Sequence, residues 1–240
     1  LSVANAALRP PIRGFQNLIS IVNIEPPTRE VVQTVLVNYE TRLALIEAAR
    51  CLECKNPVCV EGCPVGIDIR GFIQLIFQKD FIGALNKIRE TNSLPAICGR
   101  VCPQESQCEA VCTLGKKHPP VAIGKLERFV ADYEANQNGS SPPVITAHEA
   151  QRVAIVGSGP SGLTCAAELR RLGYEVTIFE ALHAAGGVLR YGIPEFRLPR
   201  NILDSEINRI KASGVELRTN FVVGRTATIT LAGTAKKAVL

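Results

Sequence analysis

Arg152-Val153-Ala154-Ile155-Val156-Gly157-Ser158-Gly159-Pro160-Ser161-Gly162-Leu163 is a short apolar run that breaks into a Gly-x-Gly-x-x-Gly turn. A helix then runs through Leu172 and closes at Gly173, and a strand from Glu175 to Phe179 ends on the acid Glu180. Together they read as a complete β-α-β unit. A glycine fingerprint alone is weak, but one set between a strand and a helix, with an acid at the right distance beyond, is a dinucleotide site. Gly157 permits the tight turn, Gly159 lets the backbone approach a pyrophosphate, and Gly162 lets helix and strand pack closely. The helix N-terminus offers unpaired N–H groups to the phosphates. Glu180 can accept hydrogen bonds from an adenosine ribose and would repel a 2′-phosphate, so the site suits FAD or NAD and disfavours NADP. The plain alternative is a glycine turn with Glu180 merely solvated.

Downstream, Ala185-Gly186-Gly187-Val188-Leu189-Arg190-Tyr191-Gly192 adds a second glycine pair suited to a bulky, extended cofactor, and Arg197 could face its phosphate or flavin side. An ordinary surface loop is the bland reading of this stretch. A helix over Pro199 to Ser213 stops at Gly214, and strand-like residues follow at Val215 to Arg218 and Phe221 to Val223.

Upstream, residues 136–150 have the Asn/Gly/Ser/Pro composition of a linker. Before it the pattern is helical, with amphipathic stretches at Tyr39 to Arg50, Ile69 to Gln78, Phe81 to Glu90 behind an Asp80 N-cap, and Val121 to Ala135. Eight of the nine cysteines lie among these helices: Cys51, Cys54, Cys59 and Cys63-Pro64, then Cys98, Cys102-Pro103, Cys108 and Cys112. A short cysteine run closing on Cys-Pro is the bacterial ferredoxin form, whose last cysteine commonly serves a second cluster. Zinc favours two matched pairs around one ion, which neither group resembles. Disulfides suit small secreted chains, and a redox-active Cys51-x-x-Cys54 would belong near a β-α-β unit, from which this pair is remote. The spacing therefore predicts two iron–sulfur clusters shared between two cysteine groups.

The 240-residue chain carries 27 Lys+Arg against 22 Asp+Glu, a formal net charge of +5, with 46% hydrophobic and 5% aromatic residues. This is a globular profile with no basic run interleaved with aromatics, which gives nucleic-acid binding no support. Its longest apolar stretches, such as Leu18 to Val22, fall far short of the roughly 20 residues that span a bilayer, so no membrane association is expected. Nine cysteines in reduced-thiol spacing point to a reducing interior, the cytoplasm. A chain of this size without Met and starting at Leu1 reads as a fragment or an incomplete sequence. His118, His148 and His183 fall in no nucleophile pattern, and no catalytic side chain is assigned.

Taken together, the two cysteine groups, Gly157-Ser-Gly-Pro-Ser-Gly162-Leu163 and Gly192-Ile-Pro-Glu-Phe-Arg197-Leu-Pro199 strongly resemble the small subunit of NADPH-dependent glutamate synthase. Similar motifs occur in the flavin subunit of bifurcating NADH-dependent ferredoxin:NADP oxidoreductase and in the N-terminal part of dihydropyrimidine dehydrogenase. The resemblance spans roughly residues 40 to 225 and implies a multidomain chain. An all-α domain with two [4Fe-4S] clusters would occupy residues 1–139, a linker 140–150, and the first part of an α/β Rossmann-type FAD domain 151–240.

The resemblance further implies crossed ligation. Cys51, Cys54, Cys59 and Cys112 would hold one cluster; Cys63, Cys102, Cys108 and the non-cysteine residue Glu127 would hold the other, leaving Cys98 free. Spacing alone allows Cys98 in place of Glu127, since carboxylate is an unusual ligand where thiolates are the rule. Cys165 reads as a small packed residue. FAD contacts would fall on Gly157, Ser158, Gly159, Pro160, Ser161 and Gly162, then on Glu180, Ala181, Gly187, Val188 and Arg197. The family's NADPH domain lies outside this sequence, and Ala227 to Leu240 is not expected to continue into the family's next strand and second fingerprint. The implied function is electron transfer from NADPH through FAD and two clusters to a large catalytic subunit or another redox partner. The bifurcating oxidoreductase is the enzymatic alternative, and a zinc-stabilised interaction module is the alternative of another class.

Overall fold

A stretch of helix spans residues 40–48 (α1) and leads directly to Cys51. The computed structural model describes residues 40–137, 151–226 and 235–239, the last as backbone, all within one compact unit that runs from Glu40 to Leu240. Residues 1–39 and the expected linker at 140–150, with His148, lie outside the described residues. After α1 come a short helix α2 (Val58–Glu61), α3 (Ile69–Phe77), α4 (Phe81–Arg89) and α5 (Pro95–Val101). The helical half closes with α6 (Ile123–Gln137).

Asp68 and Asp80 start α3 and α4 by accepting the N–H groups of Gly71 and Gly83 at 2.9 and 2.8 Å, which settles one orphan donor at each N-terminus. Ile69, Phe72, Ile73 and Ile76 of α3 are buried against Ala84, Leu85 and Ile88 of α4 and Leu126 and Val130 of α6. Each such side chain contributes about 1.5–3 kcal/mol of transfer free energy. Two ion pairs then fix α6 in place, the first with two guanidinium nitrogens and the second with one nitrogen reaching both carboxylate oxygens. Arg89 of α4 grips Glu134 at 2.6 and 2.7 Å, and Arg100 of α5 grips Asp132 at 2.6 and 2.8 Å.

The second half is a parallel sheet ordered β3-β2-β1-β4, with β1 Arg152–Val156, β2 Glu175–Phe179, β3 Glu216–Arg218 and β4 Ala235–Val239. This is the strand order of a Rossmann half. Val153 and Ile155 register with Val176 and Ile178, and these four residues are buried on one face of the sheet. That face packs on α7 (Pro160–Arg171) and α9 (Arg200–Ala212), while α8 (Val188–Tyr191) follows the second glycine pair.

Two expectations are corrected here. Phe221 to Val223 is not a strand; instead the Phe221 ring tilts onto Phe179 at 4.6 Å and its N–H bonds to the Glu180 carbonyl at 2.9 Å. The tail does return to the sheet, because β4 pairs in parallel with β1 through an irregular register near Arg152.

The helix α5, which periodicity did not pick out, joins the two halves. Pro95 stands in its first turn, where a missing N–H costs nothing. Leu94 and Ile97 are buried in the same core as Val153, Ile155, Leu163 and Leu203, so a piece of the helical half completes the packing of the sheet. On its other side α5 runs against α6 at Gly99, where an added Cβ would lie 2.6 Å from the Arg128 backbone nitrogen. Only a glycine allows that approach.

Candidate functional site

The chain after α1 makes a tight path, with Glu53 at a positive φ of 48° between Cys51 and Cys54, and α2 carries Cys59 back toward them. Cys112 arrives from the other cysteine group. Cys51, Cys54, Cys59 and Cys112 line one cleft, walled by Val58, Leu114 and Val121. Burial pushes the Cys59 thiol up to about 11, with the charges of Cys112 and Cys51 adding to it, and raises Cys51 for the same leading reason. Cys51 and Cys59 feel their neighbours' charge in a mainly apolar cleft, so their thiolates need a cation beside them, which iron in a cluster would supply. The residues fit the group.

The second set gathers where α5 and α6 cross. Cys98 and Cys102 lie one turn apart on α5 and at its C-terminal end, and Glu127 faces them from α6 as a buried carboxylate. Burial lifts Glu127 to about 8, the charge of Cys102 adds to this, and a hydrogen bond from Asn92 opposes it. Burial likewise pushes Cys108 to about 12, with Glu109, Cys63 and Glu127 contributing repulsion, which places Cys63, Cys108 and Glu127 in one electrostatic neighbourhood. The nearness of the two sulfurs shifts them apart, Cys102 below and Cys98 above the ordinary thiol range, and burial adds to the rise of Cys98. Cys98 and Cys102 thus stand opposite Glu127, and Cys63 and Cys108 lie within reach of each other's charge, while Cys165 stands apart on α7, packed at the edge of the sheet core. Among the described residues no three His, Cys, Asp or Glu side chains stand close enough to share a single metal ion.

The dinucleotide turn follows β1. Gly157 has φ of 94° and Gly159 begins α7 without any side-chain cap, so the first N–H groups of that 12-residue helix stay available. A Cβ on Gly157 or Gly159 would meet nothing within 4 Å, whereas one on Gly162 would lie 2.1 Å from the Gly157 carbonyl oxygen. The first two glycines thus leave an open cradle and the third closes helix onto strand. Gly187, at φ of 51°, presses on the turn so tightly that a Cβ there would lie 2.8 Å from Gly159 Cα. Ala181 and Val188, next in sequence to Glu180 and Gly187, are exposed, as is Arg197, while Pro160 and Ser161 lie open at the start of α7.

Glu180 is buried, not solvated. Its carboxylate accepts the N–H of Ser158 at 2.9 Å, the Ser158 hydroxyl, and the N–H of Leu182 at 2.8 Å. Burial raises its carboxyl, but these hydrogen bonds outweigh burial and hold it below the usual range. Ser158 in turn accepts the Gly186 N–H at 3.1 Å, which ties the second glycine pair to the first. Sequence gave no sign of this Ser158 role. The open cradle, the free helix end and an ionised acid at the end of β2 fit an adenine dinucleotide.

A helical half built around two cysteine sets, followed by a Rossmann half with a nucleotide cradle, is the arrangement of an iron–sulfur region joined to a dinucleotide-binding one. Residues 28–139 match the family model described as dihydropyrimidine dehydrogenase domain II, 4Fe-4S cluster, and residues 155–210 match NAD(P)-binding Rossmann-like domain. The chain is 41% identical over 214 residues, 89% of its length and 52% of the relative, to the NAD-dependent dihydropyrimidine dehydrogenase subunit PreT of Escherichia coli. It is 37% identical over 178 residues to the glutamate synthase [NADPH] small chain of Mycobacterium tuberculosis, covering 74% of this chain and 36% of that one. Glutamate synthase [NADH] of Saccharomyces cerevisiae is 38% identical over 185 residues, 76% of this chain and 8% of that one. The chain is similar to these proteins and spans about half the length, or less, of the curated relatives it matches. Among the described residues no helix is long and apolar enough to cross a membrane.

Proposed function

We propose that this chain is the iron–sulfur and FAD-binding part of an oxidoreductase that carries electrons from NAD(P)H, through FAD and two [4Fe-4S] clusters, to a partner subunit. In this reading Cys51, Cys54, Cys59 and Cys112 hold one cluster, and Cys63, Cys102, Cys108 and Glu127 hold the other. The gathering of Cys112 with three cysteines of the first group is the observation that carries it. When bound, the flavin exchanges electron pairs with a nicotinamide and single electrons with the clusters, which relay them. The chain's own part is to bind and to orient. Gly157 to Gly162 and the start of α7 receive the pyrophosphate, Glu180 braces the turn through Ser158 and receives the ribose, and Ala181, Gly187, Val188 and Arg197 border the cofactor. The domain division expected from sequence, 1–139, 140–150 and 151–240, is retained.

A second reading concerns the partner. Higher identity and wider coverage favour a partner with a dihydropyrimidine dehydrogenase site over the glutamate synthase large subunit. The relatives' names cite NAD, NADH and NADPH in turn, so NADH and NADPH are each tested as electron donor.

Anaerobic purification of the full-length protein, followed by absorption spectroscopy with iron, sulfide, zinc and flavin analysis, tests the cofactors. A colourless protein holding zinc and no iron would fit only the interaction module. Reduction of an artificial acceptor by NADH or NADPH, then coupling to uracil or to glutamine with 2-oxoglutarate in the presence of the neighbouring subunit, distinguishes the two partners. Coupling to neither, with ferredoxin reduction instead, would point to the bifurcating oxidoreductase.

A further inference from the structure

Asn92 sits just before α5 and is 6% exposed, although nothing in the sequence marks it as more than a turn residue. Its Nδ2 donates to Glu127 Oε1 at 2.7 Å. Its Oδ1 accepts the Leu94 N–H at 3.0 Å and the Cys98 thiol at 3.6 Å. One amide therefore touches both side chains that compete for the eighth ligand position. An amide donates only through nitrogen and accepts only through oxygen, so the two contacts are not interchangeable. Its nitrogen needs an acceptor, which a Glu127 oxygen provides; its oxygen needs donors, which the Leu94 N–H and the Cys98 S–H provide. The orientation is itself fixed, because the Leu94 N–H already claims the oxygen.

We infer that Asn92 is a positioning residue that selects Glu127 over Cys98 as the ligand completing the second cluster, by holding one carboxylate oxygen and keeping the Cys98 thiol turned to its own oxygen. This deepens the proposed function and rests on its two-cluster reading. Partners in the layer behind metal ligands orient them and tune the metal, and a hydrogen bond to a ligand stabilises the reduced, more negative cluster.

The test uses full-length protein purified anaerobically with its clusters. Asn92→Asp keeps an oxygen for Leu94 and Cys98 but replaces the donor to Glu127 with a second carboxylate oxygen. Iron and sulfide content should hold, while the electron paramagnetic resonance signal of one reduced cluster changes and its midpoint potential falls; the other cluster stays as in the wild type. Cys98→Ala should keep both clusters. Asn92→Ala combined with Cys98→Ala frees Glu127 and removes the competing thiol, and should lower iron by about one cluster's share. An Asn92→Asp protein with both clusters and a wild-type spectrum and potential overturns the inference alone, as does loss of a cluster in Cys98→Ala. A wild-type protein lacking iron–sulfur absorption overturns the function as well.

Discussion

Glu206 Oε1, on α9 of the Rossmann half, accepts the backbone N–H of Ala96 in the first turn of α5 at 3.1 Å, although 110 positions separate them. Its other oxygen pairs with Arg209 at 3.0 Å, with both side chains about 97–98% hidden from solvent, and Arg209 also donates to the Ser93 carbonyl. Glu206→Ala leaves a buried guanidinium without its partner, and the expected loss is about 3–5 kcal/mol of unfolding free energy. Denaturant titration measures it. Glu206→Gln, which keeps an oxygen for Ala96, should lose less; a loss under about 1 kcal/mol in the alanine variant would contradict this account.

The two ends of the glycine turn separate stability from binding. Gly162→Ala drives a methyl into the Gly157 carbonyl and should cost about 1–3 kcal/mol or more, seen as a lower melting temperature. Gly159→Ala meets no atom of the protein, so its cost should stay near the about 1 kcal/mol of a poorer N-cap. The methyl nevertheless fills the cradle, and flavin should be lost on gel filtration. A Gly159→Ala protein that retains flavin fully would show that the pyrophosphate sits elsewhere.

Crossed ligation makes distant cysteines equivalent and neighbouring ones different. Cys112→Ala and Cys51→Ala should abolish the same paramagnetic signal and about half the iron, whereas Cys63→Ala, only four residues from Cys59, should abolish the other. Matching signals for Cys59→Ala and Cys63→Ala would refute the crossing.

Glu180 predicts an acid-side pH dependence. Its folded carboxyl lies below the ordinary 4.5, so it contributes stability above that pH, and the contribution disappears as pH falls through the folded value. Glu180→Gln should flatten this part of the stability curve and lower stability at neutral pH. Melting temperatures between about pH 3 and 7 measure the slope; equal slopes in both proteins would remove Glu180 as its source.

The β-α-β unit was legible because its signals are local: an apolar run, glycines at fixed offsets, an acid at the strand end. Asp80 and the periodic faces of α3, α4 and α6 were legible on the same ground. Short α5 was not, since Pro95–Val101 buries residues toward two different cores and shows no single apolar stripe. Strand β4, Ala-Lys-Lys-Ala-Val, lacks an apolar alternation, and its place beside β1 is a long-range fact. Cysteine spacing pointed to clusters, but the gathering of Glu127 with Cys102 and Cys108 depends on a close helix crossing at Gly99 that no local pattern announces. The same holds for Asn92 and for Ser158, polar residues whose importance arises only from what folding sets opposite them.

Leu94 and Ile97 give this architecture a consequence for engineering. A cut at the apparent boundary near residue 139 would strip the sheet of two plugs and leave them bare on the excised helical piece. Each fragment would inherit a greasy scar, inviting aggregation, and neither would serve as an interchangeable cassette. Grafting the cluster-bearing portion onto another flavoprotein therefore requires transplanting the recipient surface of α9 with it, Glu206 and Arg209 included.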